Sequence, residues 1–454
     1  MRHLRAWQAE CVAHAQARFL AGQRQFLAVA TPGAGKTVMA AELARRLVAE
    51  GDIDLVYCFT PSVAVAAGFS QTLSRHTGRS MAGVAGALGR TFTYQQLPFL
   101  GEDCWQAFRH HRVLVILDEI HHCGGQGPEG NRWGQQVMAQ ILTGARFTLS
   151  LSGTPWRSDK RPVTSAHYHD SQVVPDYVYD LRRAIAEGVC RAPRIVATDC
   201  ADIQVESTRG PTQHFASFRE AFAESPLAYR QLLTHPGLTR HLLGQAVDRL
   251  AVLRRRTPDA GGLVVATSIA HARQLIRCLR DDHGQRATLV ASHQPDAQAR
   301  LAMFAQGDSP WLVAVGMVSE GTDIPRLQVC CHLSAIKTAL HFRQVLGRII
   351  RCRQGAGEIA DLFIIAEPTL VGFAQALAQT VPEQEILVQA HFESVTSAGH
   401  PSPPTVSAGI DVVEETLPPL VSLSGEESSR RVSLTLADRF FQEMVALQSD
   451  LQRA

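Results

Sequence analysis

"FLAVATPGAGKTVMAAELARRLVAEG", residues 26–51, runs from an apolar strand through a glycine-rich turn into an amphipathic helix. Such a turn leaves backbone N–H groups converging at the start of a helix, where the helix dipole adds positive potential, and phosphate is attracted there. In the loop Pro32-Gly33-Ala34-Gly35, the two glycines let the chain curl closely. Lys36 can then reach outer phosphates and Thr37 can offer its hydroxyl to magnesium. The usual pattern begins with Gly, and here Ala30 holds that place. Strand, loop and helix still follow in the required order, so the stretch reads as a P-loop within an α/β sheet.

"RVLVILDEIHHC", residues 112–123, takes its meaning from that loop. By itself its cluster of Asp, Glu, His and Cys suits a zinc site as well as a magnesium site. No second ligand pair lies nearby, and strands of such sheets end beside the P-loop. Asp118 is then expected to hold magnesium, and Glu119 to orient and deprotonate the attacking water. His121 and His122 are expected to link the ATP site to neighbouring loops.

Composition sets the outer bounds. At 454 residues the chain is too long for one hydrophobic core. It is 45% hydrophobic and 19% charged, with a net charge of +2, so no global basic field announces a nucleic-acid partner. Lys36, Lys160 and Lys337 are the only lysines; arginine carries the positive charge. The ten cysteines form no CxxC pair. The start, "MRHLRAWQAECV", lacks a secretory apolar core, and no stretch has the length of a membrane span. A cytoplasmic protein with no membrane contact is expected.

The second half restarts an α/β unit. "GLVVATSIAHARQLIRCL" (262–279) is a buried strand followed by a helix, and "WLVAVGMVSEGTDIPRL" (311–327) is another strand ending in a turn. "FRQVLGRIIRCR" (342–353) follows; on a helix, Gln344, Gly347 or Arg348, and Arg351 would share one face.

The ordered set of motifs over about residues 1–370 resembles the superfamily 2 helicases and translocases. It is most similar to the DNA-directed branch that includes type III restriction ATPase subunits and XPB-like motors. The resemblance implies two tandem RecA-like parallel-sheet domains with ATP and Mg2+ bound between them. It also implies that Gln8 of "LRAWQ" (4–8) meets the adenine edge, supported by Arg5. "TPSVAVA" (60–66), with Thr60, Pro61 and Ser62, and "TFTYQQL" (91–97), with Thr93 and Tyr94, resemble elements that touch a nucleic-acid strand. Thr267 and Ser268 are placed with them. "LSGTPWR" (151–157) resembles the coupling motif, in which Ser152 and Thr154, with His121, relay the state of the ATP site. In the turn Ser319-Glu320-Gly321-Thr322-Asp323, Gly321 and Asp323 belong on the nucleotide side and Ser319, Glu320 and Thr322 on the nucleic-acid side. Gln344 would line the nucleotide, and Arg348 and Arg351 would be arginine fingers.

The spelling DEIH, SGT and QVLGRIIR differs from the DEAD, SAT and HRIGR set of DEAD-box RNA helicases. DNA is therefore the expected partner and RNA the alternative, because phosphate contacts are common to both polymers. A third reading is a P-loop switch that recruits a partner without motor activity.

The expected division is an ATP-binding domain over 1–190, a helical connector over 191–257 and a second RecA-like domain over 258–370. A helical extension (371–395), a disordered Pro/Ser/Gly-rich linker (396–430) and an amphipathic helix (431–454) follow. That last helix, with the stripe Leu436, Phe440, Met444, Leu447 and Leu451, would fold back or bind a protein partner.

Overall fold

The computed structural model describes residues 4–120, 137–153, 167–169, 172–207, 211–225, 227–292, 294–316, 324–353, 357–379, 387–389, 432–437 and 439–446. The expected 396–430 linker lies outside these residues.

Five strands of the first lobe alternate with helices: β1 (Gln25–Ala30), β2 (Leu55–Thr60), β3 (Gly89–Thr93), β4 (Val113–Asp118) and β5 (Phe147–Ser152). The helices are α1 (Ala6–Leu20), α2 (Lys36–Ala49), α3 (Val63–Thr77), α4 (Glu102–His110) and α5, whose described part covers residues 137–144. A short ribbon, β6 (His167–His169) with β7 (Gln172–Val174), precedes β8 (Tyr177–Tyr179) and α6 (Leu181–Ala186). The sheet is parallel throughout, in the order β3-β2-β4-β5-β1-β8.

Both faces of this sheet are covered, which explains its nearly unbroken apolar strands. Val113, Val115 and Leu117 of β4 join the core on one face with Phe59, Met138 and Ile141. Leu114 and Ile116 join the core on the other with Met39 and Leu43 of α2. In α2, Met39, Leu43 and Leu47 are buried at four-residue spacing, so the helix that starts at the P-loop is pinned along its length.

The second lobe contains β9 (Ala192–Cys200), α9 (Pro236–Arg254), β12 (Gly261–Ala266), α10 (Ile269–Asp281), β13 (Ala287–Ala291), α11 (Ala297–Gln306) and β14 (Trp311–Val315). It continues with β15 (Leu327–Leu333), α12 (Ala339–Ile349), β16 (Ile359–Ile365), α13 (Pro368–Gln379), β17 (Leu387–Gln389) and β19 (Phe440–Ala446). The sheet order is β13-β14-β12-β15-β16-β9-β19-β17; its first six strands are parallel and β19 runs antiparallel to β9. A small antiparallel sheet, β11 (Gln213–Phe215), β10 (Ile203–Ser207) and β18 (Val432–Leu436), sits beside α7 (Phe218–Glu224), and α8 (Tyr229–Thr234) packs on α9.

Three expectations are corrected here. Residues 191–257 are not a purely helical connector: β9 enters the second sheet beside β16, so the second lobe begins at Ala192. The extension after 370 includes a strand, β17, and not helix alone. The C-terminal amphipathic helix is replaced, within the described residues, by β18 and β19. "VSLTL" (432–436) also alternates with period two and finds its pairing on the edge of β10, while residues 440–446 pair with the open edge of β9; those edges decide between the two periods. Leu436 is buried in this chain's own core and Phe440 packs against it, so this part of the stripe is spent internally.

Candidate nucleotide-binding site between the lobes

The site forms where the parallel strands of the first sheet end, the usual ligand position in open α/β sheets. β1 delivers the P-loop, β4 delivers the acids, and β5 lies between them. Gly33 (φ +82°) and Gly35 (φ +96°) occupy left-handed conformations, and Gly35 caps α2. Neither tolerates a side chain. A Cβ at Gly35 would fall 2.7 Å from Gln8 Nε2, and one at Gly33 would fall 2.8 Å from Arg351 Cγ.

Lys36 Nζ pairs with Glu119 Oε1 at 3.0 Å and donates to the Ala30 carbonyl at 3.2 Å. The other oxygen of Glu119 accepts from Gly153 N–H at 2.9 Å. Glu119 has φ +47°, the one non-glycine residue with positive φ among those described. Left-handed backbone is unfavourable for such a residue and persists only when its surroundings hold it. Here Lys36 and Gly153 hold it. Asp118 is 7% exposed, and its carbonyl accepts from Tyr94 Oη at 2.8 Å. Ser152, which ends β5, is buried between the two strand ends.

The N-terminal helix locks the loop from outside. Gln8, 3% exposed, accepts from Arg5 N–H at 2.9 Å and donates to the Gly35 carbonyl at 3.0 Å. Arg5 Nη1 donates to the Ala34 carbonyl at 2.7 Å. Trp7 stacks on Tyr179 with centroids 4.6 Å apart, anchoring α1 to β8.

The second lobe closes the seam. Gly347 of α12 lies against the P-loop so closely that a Cβ there would fall 2.6 Å from Pro32 Cβ. Gln344 and Arg348 are half-buried on the same helix. Arg351 is not on the helix face as expected. α12 ends at Ile349, and Arg351 forms an antiparallel bridge with Cys190 before its side chain reaches Gly33. Cys190 Sγ donates to the Pro32 carbonyl at 3.8 Å, and burial pushes its thiol up to about 12, so it is no thiolate nucleophile.

Several expected nucleic-acid contacts have other work. Thr60 is wholly buried and its hydroxyl donates to the Phe92 and Ser62 carbonyls. Thr93 is buried, with its N–H held by Gln96, and Tyr94 is buried beneath Asp118. Strand ends reach the sheet edge as backbone, but these side chains turn inward. Pro61 is buried as well, whereas Ser62 caps α3 and Ser268 caps α10. Thr267 contacts His271 Nδ1 at 3.1 Å. His121, Thr154, Ser319, Glu320, Gly321, Thr322 and Asp323 lie outside the described residues. Gly153, Cys190 and Arg191 were missed. Gly153 had a signal, since it stands between Ser152 and Thr154; the other two belong to no motif.

The donors suit a magnesium nucleotide. Curled glycines open the loop to phosphate, Lys36 supplies a cation, and Thr37 with Asp118 supplies the hard oxygens magnesium prefers. Among the described residues, no group of three or more His, Cys, Asp or Glu could hold a metal. Among the same residues, no helix is long and apolar enough to cross a membrane.

Comparison with known proteins agrees with this architecture. The family profile "Type III restriction enzyme, res subunit" matches residues 2–157. An uncharacterized protein of Mycobacterium leprae (strain TN) is 31% identical over 425 residues, covering 89% of this chain and 69% of that protein. The chain thus spans about two thirds of the length of the curated relatives it matches. A fragment of a putative HsdR subunit of a type I restriction enzyme from Vibrio vulnificus YJ016 superposes with a TM-score of 0.56 at 18% identity, covering 82% of this chain and 65% of that one. The ATP-dependent type ISP restriction-modification enzyme LlaBIII, bound to DNA, gives 0.55 at 14% identity, covering 84% and 30%. The chain belongs to the same family as the mycobacterial protein and resembles the superfamily 2 helicases, its residues 2–157 matching the res subunit of type III restriction enzymes.

Proposed function

We propose that the protein is an ATP-dependent DNA helicase or translocase, coupling ATP hydrolysis to movement along DNA or its remodelling. One observation carries the proposal: Arg351 of the second lobe lies on Gly33 of the first, so the P-loop, the acids and an arginine meet at one seam. A single-lobe switch has no use for that meeting.

Each residue has a role that follows from its position. The P-loop N–H groups and Lys36 hold the phosphates. Thr37 and Asp118 would hold Mg2+, which when bound neutralises charge on the phosphate oxygens. Glu119, held by Gly153, orients and deprotonates the attacking water. Arg351, with Arg348, compensates the charge that develops on the transferred phosphoryl group. Gln8 and Arg5 fix the loop and border the base, with Gln344 across the seam. Because ATP would be gripped from both sides, binding draws the lobes together and hydrolysis releases them.

Nucleic acid is assigned to one helix start in each lobe. β2 leads into α3 capped by Ser62, and β12 leads into α10 capped by Ser268. Each offers a positive helix end to backbone phosphate. The DEIH, SGT and QVLGRIIR spelling supports DNA, as does the DNA bound by the type ISP neighbour.

The test is steady-state ATP hydrolysis with single-stranded DNA, duplex DNA and RNA, followed by unwinding of labelled forked duplexes. DNA-selective stimulation is expected. RNA-selective stimulation would move the assignment to an RNA remodelling ATPase, and indifference to both would leave a switch without motor activity.

A further inference from the structure

Arg191 lies in the segment joining the lobes and is completely buried. A buried guanidinium is costly unless its donors are met. Here Nε donates to Glu358 Oε2 at 2.6 Å, and Nη2 donates to the Pro325 carbonyl at 2.9 Å. Nη1 donates to the carbonyls of Leu327 at 2.8 Å and Ile349 at 2.9 Å. These acceptors come from three segments: the entry to β15, the last residue of α12 and the residue before β16. The main chain repeats the clamp, since Arg191 N–H donates to the Ile350 carbonyl at 2.6 Å and Ala192 N–H to the Glu358 carbonyl at 3.0 Å.

The geometry bears directly on Arg351. Carbonyls in the last turn of a helix lack partners within the helix, and the dipole favours a cation there. Arg191 occupies that place at the end of α12, where the chain turns toward the P-loop. Its neighbour Cys190 is bridged to Arg351, and Arg351 rests on Gly33. The aim of Arg351 is therefore set by a bracket between the interlobe segment and the base of the second sheet, and not by α12 alone.

We propose that Arg191 is a positioning residue for Arg351, holding that side chain at the P-loop seam. The inference rests on the reading of the seam as the nucleotide site. Lysine cannot substitute, because one ammonium cannot reproduce a planar fork that addresses a carboxylate and three carbonyls at fixed angles.

The test is a double-substitution cycle on the full chain, reading single-turnover ATP hydrolysis, ATP affinity and thermal melting for Arg191→Lys, Arg351→Ala and the pair. Arg191→Lys is expected to slow hydrolysis by about 10- to 100-fold, as a side chain misplaced by about an ångström would, with a much smaller change in affinity. In the Arg351→Ala background it should cost nothing further, because the group it positions is gone. Losses that multiply in the double variant, or a wild-type rate for Arg191→Lys, would overturn the proposal. If Arg191→Lys melts below the assay temperature, Glu358→Gln replaces it in the same cycle. That change weakens one arm of the bracket, and the same non-additive outcome is required at smaller amplitude. A wild-type rate for Arg351→Ala alone would instead sink the nucleotide-seam reading, which separates the two failures.

Discussion

The ammonium of Lys36 and the carboxylate of Glu119 pair at 3.0 Å across the end of β5, although one opens α2 and the other follows β4. A phosphate entering the loop would draw the ammonium, while Gly153 N–H keeps its hold on the carboxylate. Glu119→Gln preserves the shape and the acceptor but removes the base. We expect ATP binding to persist while turnover falls by about 10²–10⁴-fold. Nucleotide binding measured beside DNA-stimulated hydrolysis checks this, and surviving hydrolysis would remove Glu119 from the role of base.

Arg351→Ala takes away the guanidinium that lies on Gly33. If it compensates transition-state charge, hydrolysis should fall by about 10³–10⁵-fold with a much smaller change in ATP affinity. Parallel losses in rate and affinity would mark Arg351 as a packing residue.

Gly347→Ala separates closure from folding. In a helix interior, alanine is favoured over glycine by about 1 kcal/mol, yet here its Cβ would meet Pro32 at 2.6 Å. The lobes must shift apart to admit it. We expect a melting temperature that is unchanged or raised, together with reduced ATP turnover. Unimpaired turnover would mean that α12 does not close on the P-loop during the cycle.

Acid stability should report on the helix behind the P-loop. The Arg45 guanidinium beside Glu42, with Arg46, outweighs burial and holds the Glu42 carboxyl down to about 2, against 4.5 normally. A depressed carboxyl contributes stability that is fully present above pH 4.5 and is lost as pH falls toward 2. Urea midpoints at pH 7 and pH 3 should therefore lie closer together for Glu42→Gln than for the wild type. Equal gaps in the two proteins would deny Glu42 that contribution.

Within the first lobe, the order of strand, turn and helix around Lys36 was readable from residues 26–51. Glycine spacing and apolar runs are local properties that survive without tertiary context. The two acids after β4 and the restart of an α/β unit near residue 262 were readable for the same reason. The inward turn of Thr60, Thr93 and Tyr94 was not, because a hydroxyl at a strand end serves equally well facing a ligand or a neighbouring carbonyl. At the C-terminus, Leu436, Phe440 and Met444 carry a helical period, and only the vacant edges of β10 and β9 draw their segments into strands.

The sequence by itself determined the P-loop, the acidic strand end and the two-lobed plan, since each is written in contiguous residues. Tertiary structure alone decided that Gly153 steadies Glu119, that Arg351 reaches Gly33 from beyond the end of α12, and that Arg191 braces the turn from which it does so. Those contacts join segments far apart in the chain, and no periodicity or spacing encodes which distant carbonyl a buried guanidinium will find.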